Sequence, residues 1–167
     1  YSYFIDGRNN APFTRPDVDR TDEDTPINLA HILANDFDID RDPFRITRVE
    51  ASGSGATVSI AADGTVDYSP VGAFDYLALN ERGYDTFIYT VTDSYGGERS
   101  DTVTIEIEGR NDAPAFVSSQ SDTGGRLVEG NSTSILSEGG SLTFGDKDTS
   151  DTHYATSAFV PESSGSN

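Results

Sequence analysis

The sequence predicts an all-β protein in which two antiparallel sheets pack face to face as a sandwich. Apolar and polar residues alternate in several short segments, as in strands that bury one face. Glycine, asparagine and aspartate are concentrated between these segments, where turns are expected. Residues 5–12 (IDGRNNAP) and 107–114 (IEGRNDAP) agree at six of eight positions, which predicts that the sandwich is repeated in tandem.

The repeated motif gives the expected domain layout. Residues 1–12 end one repeat and its linker, and residues 13–112 form a complete repeat. Residues 113–167 begin a following repeat that the chain does not finish, so we expect the chain to be a piece of a longer protein. Each copy of the motif closes with Ala-Pro, where proline favours an extended linker because it cannot continue a helix.

The first strands of the complete repeat are short. Residues 27–33 form a mostly apolar run that fits a strand or a single helical turn, and residues 44–49 begin another strand. Residues 57–60 and 65–68 alternate around Asp63-Gly64, a dipeptide typical of hairpin turns.

The last strands of the repeat carry the clearest alternation. Residues 86–92 place their apolar side chains on one face, and residues 102–108 do the same with a regular period of two. The predicted core consists of Ile27, Leu29, Ile46, Val58, Ile60, Val66, Tyr68, Phe87, Tyr89, Val91, Val103, Ile105 and Ile107.

Several short alternating strands joined by glycine-rich turns within one domain length predict an immunoglobulin-like antiparallel β-sandwich. Tyr76, Tyr84 and Tyr95 occur in turn-like sequence and are expected at the surface. In the last part of the chain, residues 127–128, 134–136 and 141–144 are also strand-like.

Composition excludes several classes of function. The chain has 167 residues with 11 basic and 29 acidic side chains, a net charge of −18 that would repel nucleic acid and anionic membranes. It has no cysteine, which excludes disulfides, thiol catalysis and iron–sulfur clusters. No apolar run approaches the length of a transmembrane helix, so we expect no direct membrane insertion.

An acidic stretch follows the first apolar run. Asp36, Asp38, Asp40 and Asp42 stand at every second position, so in extended chain their side chains can converge on one point. Converging carboxylates repel one another unless a cation neutralises them, and hard oxygen ligands suit Ca²⁺. A solvated acidic turn is the alternative. Pro43 is expected to turn Asp42 away from such a site.

The complete repeat resembles the cadherin-like and VCBS-type repeats of large bacterial RTX-type adhesins. The resemblance rests on residues 21–26 (TDEDTP), 33–40 (LANDFDID), 62–70 (ADGTVDYSP), 84–93 (YDTFIYTVTD) and 111–114 (NDAP). Residues 140–148 and 151–153 are similar to the VCBS variant. The resemblance implies calcium-binding sandwiches that extend or stiffen a fibre at the bacterial surface, with no catalysis.

In an immunoglobulin-like sandwich, the acidic motifs would sort to the two ends of the domain. The Asp36–Asp42 loop and the Asp93 turn would meet the incoming linker, and the opposite end would meet the following repeat across Asn111-Asp112. The candidate Ca²⁺ ligands are Asn9, Asn10, Glu23, Asp36, Asp38, Asp40, Asp85, Asp93, Asn111, Asp112, Asp146 and Asp148.

These observations predict a secreted, cell-surface extender module whose partners are the neighbouring repeats of its own chain, with a role in cell adhesion or biofilm. A calcium-dependent module that binds a cell-surface glycan or protein is the alternative, and Tyr95 near Asp93 is the candidate contact. Catalysis is not expected. His31 lies in an apolar run, His153 follows the second acidic stretch, and the carboxylates lack the aromatic cleft of a glycosidase.

Overall fold

A computed structural model describes residues 7–113, 115–116 and 144–150, and these residues are all-β. The alternating segments form strands as predicted, and most of these strands bury one face against a shared core. The strands are β1 Asp17–Asp22, β2 Ile27–Asn28, β3 Phe44–Ala51, β4 Thr57–Ile60, β5 Val66–Ser69, β6 Arg82–Asp93, β7 Glu98–Glu108, β8 Ala115–Phe116 and β9 Phe144–Gly145.

Two sheets form the sandwich, which confirms the predicted fold class. The larger sheet has the order β1-β7-β6-β3 and the smaller one β2-β5-β4, while β8 pairs with β9 alone. The hairpin of β4 and β5 turns at the predicted Asp-Gly pair, with Gly64 at a φ of 87°. The pairing is antiparallel except between β1 and β7, which run parallel.

Strand β1 was not predicted from the sequence, because it is almost entirely polar. As an edge strand it pairs with β7 on one side only, and its Val18 is 72% exposed. Such a strand has no buried apolar face, so it shows no hydrophobic period. Only the first two residues of the apolar run at residues 27–33 form a strand, since β2 ends at Asn28 and a turn follows.

The core is close to the predicted one. Ten of its predicted members are buried, while Ile27 and Val58 are half-buried and pack against the others. Ile60 was wrongly placed in the core, because it ends the edge strand β4 and remains 37% exposed. Ile32, Phe74 and Leu77 complete the core from turns, where no strand period marks them.

The three tyrosines expected at the surface are exposed: Tyr76 at 48%, Tyr84 at 63% and Tyr95 at 73%. The strand-like residues 127–128, 134–136 and 141–143 lie outside the described residues, as does His153. Within the described part of the chain, no helix has the length and apolar character needed to cross a membrane.

Candidate metal centres

The first acidic group, here called the junction cluster, consists of Glu23, Asp112 and Asp148. Each offers a carboxylate oxygen within 4.8 Å of the others, although the three residues are far apart in sequence. Glu23 and Asp148 are only 1% and 2% exposed. Three separate segments therefore meet at one buried point: the end of β1, the linker after β7, and residues 144–150.

Backbone hydrogen bonds hold these segments together. The amide of Glu23 donates to the carbonyl of Glu108 at 3.1 Å, and the amide of Arg110 donates back to Glu23 Oε1 at 2.7 Å. The amide of Asp112 donates to Asp148 Oδ2 at 2.8 Å. These bonds fix one oxygen of Glu23 and one of Asp148, and leave the second oxygen of each buried without a hydrogen bond.

Electrostatics at the junction cluster are unfavourable for bare carboxylates. Burial raises the pKa of Glu23, and the charges of Asp112 and Asp148 raise it further. The nearby Lys147 Nζ lies 2.8 Å from Asp75 Oδ2 and 3.7 Å from Asp112 Oδ2. Lys147 is largely exposed, however, so solvent screens its charge and it offsets little of the repulsion among the carboxylates.

The second acidic group, here called the loop cluster, consists of Asp38, Asp40 and Asp42, whose oxygens also lie within 4.8 Å of one another. The amides of Asp40 and Asp42 donate to Asp38 Oδ1 at 2.8 and 3.3 Å. The loop thus wraps around the buried Asp38, with the two later carboxylates turned towards it.

The position of Asp42 differs from the sequence-based expectation. Pro43 was expected to turn it away, but Arg41 adopts a left-handed backbone with a φ of 66°, which brings Asp42 back beside Asp38. Burial and the charges of Asp38, Asp40 and Asp93 raise the pKa of Asp42. The every-second-residue spacing had pointed to Asp42 and was the better guide.

The linker before the domain docks on the loop cluster. Asn10 donates to Asp40 Oδ2 through its backbone amide at 2.7 Å and its side-chain amide at 3.0 Å. Asn9 donates to Asp93 Oδ2 at 2.9 Å, and this bond lowers the pKa of Asp93. The β6–β7 turn and the incoming linker therefore meet at this end.

Asp36, Asp85 and Asn111 also lie outside both clusters. Asp36 accepts hydrogen bonds from the amide of Arg15 and the hydroxyl of Tyr89. Asp85 is buried and accepts from Ser52, Ser54 and Tyr68 in an internal network. The Asn111 side chain donates to the carbonyl of Asp112. The every-second-residue spacing therefore does not bring Asp36 to the loop cluster. Its carboxylate is held instead by Tyr89 of β6 and the amide of Arg15.

Buried oxygens without partners indicate what the clusters can bind. Among the described residues, Glu23 Oε2, Asp148 Oδ1 and Asp38 Oδ2 are buried and accept no hydrogen bond. A buried carboxylate oxygen without a donor is costly, and a cation relieves that cost. The ligands are hard oxygens, so both clusters fit Ca²⁺.

Residues 144–150 reproduce two of the hydrogen bonds made at the loop cluster. The amide of Asp148 donates to Asp146 Oδ1 as that of Asp40 does to Asp38, and Asp112 contacts Asp148 as Asn10 contacts Asp40. The pairing of Ala115 with Gly145 corresponds to the bridge between Phe13 and Phe37.

A comparison with protein families agrees with this architecture. The bacterial cadherin-like domain matches residues 9–109, and the chain belongs to that family. It is a non-catalytic structural and adhesion fold that occurs in extracellular adhesins and typically binds calcium. No curated protein sequence matches the chain.

One solved structure with a similar region is a nucleoside hydrolase-related hypothetical protein from Saccharophagus degradans that is associated with carbohydrate metabolism. It is 11% identical, with a TM-score of 0.39. The match covers 60% of this chain and 26% of that protein, so the chain spans about a quarter of its length.

Proposed function

We propose that this chain is a calcium-stiffened extender of a large repetitive adhesin at the bacterial surface. The observation that carries the proposal is the composition of the junction cluster. Glu23 belongs to the sandwich, Asp112 to the linker and Asp148 to the segment beyond it. An ion bound by all three would join what lies on the two sides of the linker.

The mechanism follows from charge. Three carboxylates within 4.8 Å repel one another, so without a cation the linker is pushed open and acts as a hinge. Bound Ca²⁺ supplies the positive charge that makes their approach favourable. The backbone bonds of Arg110 and Asp112 then hold the ligands Glu23 and Asp148 in place. A hinge closed at each linker gives a rod that projects the adhesin from the cell.

The likeness of residues 144–150 to the loop cluster supports the tandem arrangement. It suggests that residues 113–167 begin a following repeat, as residues 13–112 follow an earlier one that ends at residue 12. The same joint would then recur along the fibre. The resemblance of the motifs to VCBS-type repeats of RTX adhesins supports secretion to the cell surface and a part in biofilm.

The test measures how broadly the distance across the linker is distributed. The chain has no cysteine, so Ser59→Cys and Ser150→Cys give two unique sites for spin labels, both exposed and on opposite sides of the linker. We expect a narrow distance distribution by pulsed electron resonance in calcium and a broad one in chelator. Magnesium serves as the control ion.

A second labelled pair, Ser59→Cys with Glu98→Cys, lies within the sandwich and should give the same distribution in both buffers. Equal widths across the linker with and without calcium would contradict the proposal. Calcium should also raise the melting temperature by about 10 °C or more, since an ion at a hundred times its Kd adds about 2.7 kcal/mol.

One observation favours a second function, calcium-dependent binding of a surface glycan or protein. An open groove of about 330 Å³ is lined by Asp40, Asp42 and the linker residues 7–9, with Tyr95 at its edge. An exposed aromatic ring beside a cation can stack on a sugar whose hydroxyls the ion binds. Calcium-dependent binding to a glycan array that Tyr95→Ala abolishes would support this function, and no binding would exclude it.

A further inference from the structure

Buried, unpartnered oxygens also occur away from the two clusters. Within the described residues, Thr14 Oγ1, Asp17 Oδ2 and Asn35 Oδ1 are buried and have no hydrogen-bond partner. Like the three in the clusters, all are oxygens and none is a nitrogen. A buried oxygen without a partner calls for a hydrogen-bonding group or a cation beside it.

Asp17 and Asn35 hold each other in a defined orientation. Asn35 Nδ2 donates to Asp17 Oδ1 at 3.1 Å. A carboxylate only accepts, so the amide nitrogen of Asn35 must face it and the amide oxygen must face elsewhere. Both atoms that remain, Asp17 Oδ2 and Asn35 Oδ1, are therefore acceptors.

Asp36 brings a second carboxylate to the same place. The Tyr89 hydroxyl lies 2.9 Å from Asp36 Oδ2, and the amide of Arg15 donates to Asp36 Oδ1 at 3.0 Å. Burial raises the pKa of Asp17, and the charge of Asp36 raises it further. Hydrogen bonds and the charge of His31 lower the pKa of Asp17, and the charge of Arg15 lowers that of Asp36, but these effects are smaller than that of burial. No described Lys or Arg forms an ion pair with either carboxylate.

Thr14 lies in the segment that runs along this turn. The neighbouring Phe13 exchanges backbone bonds with Phe37, and Arg15 contacts Asp36. The Phe13 ring is on the outer side, half-exposed and stacked on Phe37. The next side chain in extended chain points the opposite way, and Thr14 is accordingly only 7% exposed.

We propose that Thr14, Asp17, Asn35 and Asp36 form an internal Ca²⁺ site, separate from the junction and loop clusters. Their oxygens are a hydroxyl, an amide carbonyl and two carboxylates, a ligand set that suits a hard divalent cation and balances its charge. Asp17 pairs with Val103 at the middle of β7, whereas the two clusters lie at the ends of the domain.

The site has a structural consequence for the edge strand. Strand β1 is polar and exposed and buries little apolar surface of its own. An ion that joins its first residue, Asp17, to the Asn35–Asp36 turn would fasten the strand where the chain enters the sandwich.

The first test counts ions by native mass spectrometry of the whole chain titrated with Ca²⁺. We expect Asp17→Asn to bind one ion fewer than the wild type. Glu23→Gln and Asp40→Asn report on the two clusters, so this site and the proposed joints can fail independently. An unchanged ion count in Asp17→Asn would mean that the space holds water only, and would overturn the inference.

A second variant keeps the inference testable should Asp17→Asn fail to fold. Thr14→Val preserves shape and removes only the hydroxyl. Without calcium it should melt at or above the wild-type temperature, because an unpartnered buried hydroxyl is lost. With calcium it should bind one ion about tenfold more weakly and gain less in melting temperature. The matched control, Thr57→Val on the exposed face of β4, should change neither.

An equal calcium-induced gain in Thr14→Val and the wild type would overturn the inference.

Discussion

The junction and loop clusters contain the same number of carboxylates but are assembled differently. The loop cluster comes from five consecutive residues, and the linker reaches it through amide hydrogen bonds. The junction cluster takes one carboxylate from each of three distant segments, two of them almost completely buried. An ion in the loop cluster can order a loop, whereas an ion in the junction cluster can order the relation between segments.

One residue accounts for much of this difference. Asn10 and Asp112 occupy equivalent positions in the repeated motif. The Asn10 side chain donates to Asp40 and thus binds the linker without any ion. The Asp112 carboxylate cannot donate, and it lies 3.7 Å from Lys147 instead. The first linker is therefore expected to depend less on calcium than the second.

The largest effect is expected for Glu23→Gln in the junction cluster. Glutamine can still accept the bond from the Arg110 amide, but it removes a buried charge from the proposed Ca²⁺ site. Calcium binding there should weaken at least tenfold, about 1.4 kcal/mol, and the calcium-induced rise in melting temperature should shrink by several degrees. Calorimetric titration and thermal melts measure both.

The matched control is Glu98→Gln, an exposed residue at the start of β7. It should keep the wild-type response to calcium. If Glu23→Gln gained as much stability from calcium as the wild type, the junction cluster would not be a metal site.

The second prediction exchanges the residues that distinguish the two linkers. Asn10→Asp should add a fourth carboxylate to the loop cluster, tightening calcium binding about tenfold and lowering stability in chelator by about 1 kcal/mol, since a donor is lost and a charge is gained. Asp112→Asn should do the opposite at the junction cluster. Melting curves with and without calcium follow both variants.

Opposite signs of the response to calcium are the important outcome here, because a non-specific loss of packing would lower the melting temperature of both variants. Two variants that respond alike to calcium would contradict the comparison between the linkers.

Much of the sandwich could be predicted because burying one face of a strand imposes a period of two. Strands β5 to β7 show that period, and their buried apolar residues were identified. Strand β1 and the turn residues Ile32, Phe74 and Leu77 could not be found this way. The strand buries almost nothing apolar, and the turns obey no period.

The sequence could predict only at which end of the domain each candidate ligand lies, because the topology of the sandwich places each loop at one end or the other. That argument placed Glu23, Asp112 and Asp148 at one end. It failed for Asp85, whose side chain turns inward to Tyr68. The separate expectation that Pro43 turns Asp42 away was wrong, because the position of Asp42 depends on the backbone angle of Arg41. Side-chain direction within a loop is set by local contacts that sequence spacing does not reveal.

The third prediction concerns pH. Because burial raises the native pKa of Glu23, the folded chain takes up a proton there before the unfolded chain does. Stability in calcium-free buffer should therefore increase as pH falls through that raised pKa, by about 1.4 kcal/mol for each unit of the difference. With calcium bound, protons compete with the ion for Glu23, so stability should instead decrease as pH falls.

Melting temperatures measured at a series of pH values around the raised pKa of Glu23 test the sign of this pH dependence. Without calcium, the melting temperature of Glu23→Gln should depend less on pH than that of the wild type. If the stability of the wild type increased with falling pH equally with and without calcium, no bound ion would be competing with protons for Glu23.

The smallest effect is expected for Lys147→Met. Lys147 is the protein's own cation at the junction, but it is 62% exposed, so in saturating calcium its loss should cost less than about 1 kcal/mol. In chelator the cost should be greater, since Lys147 is the only cation among the described residues that forms an ion pair with Asp75 or Asp112. Arg48→Met, which loses an ion pair with Glu50 inside one strand, should cost the same in both buffers. A Lys147→Met variant that behaves like Arg48→Met would show that calcium and lysine do not act on the same joint.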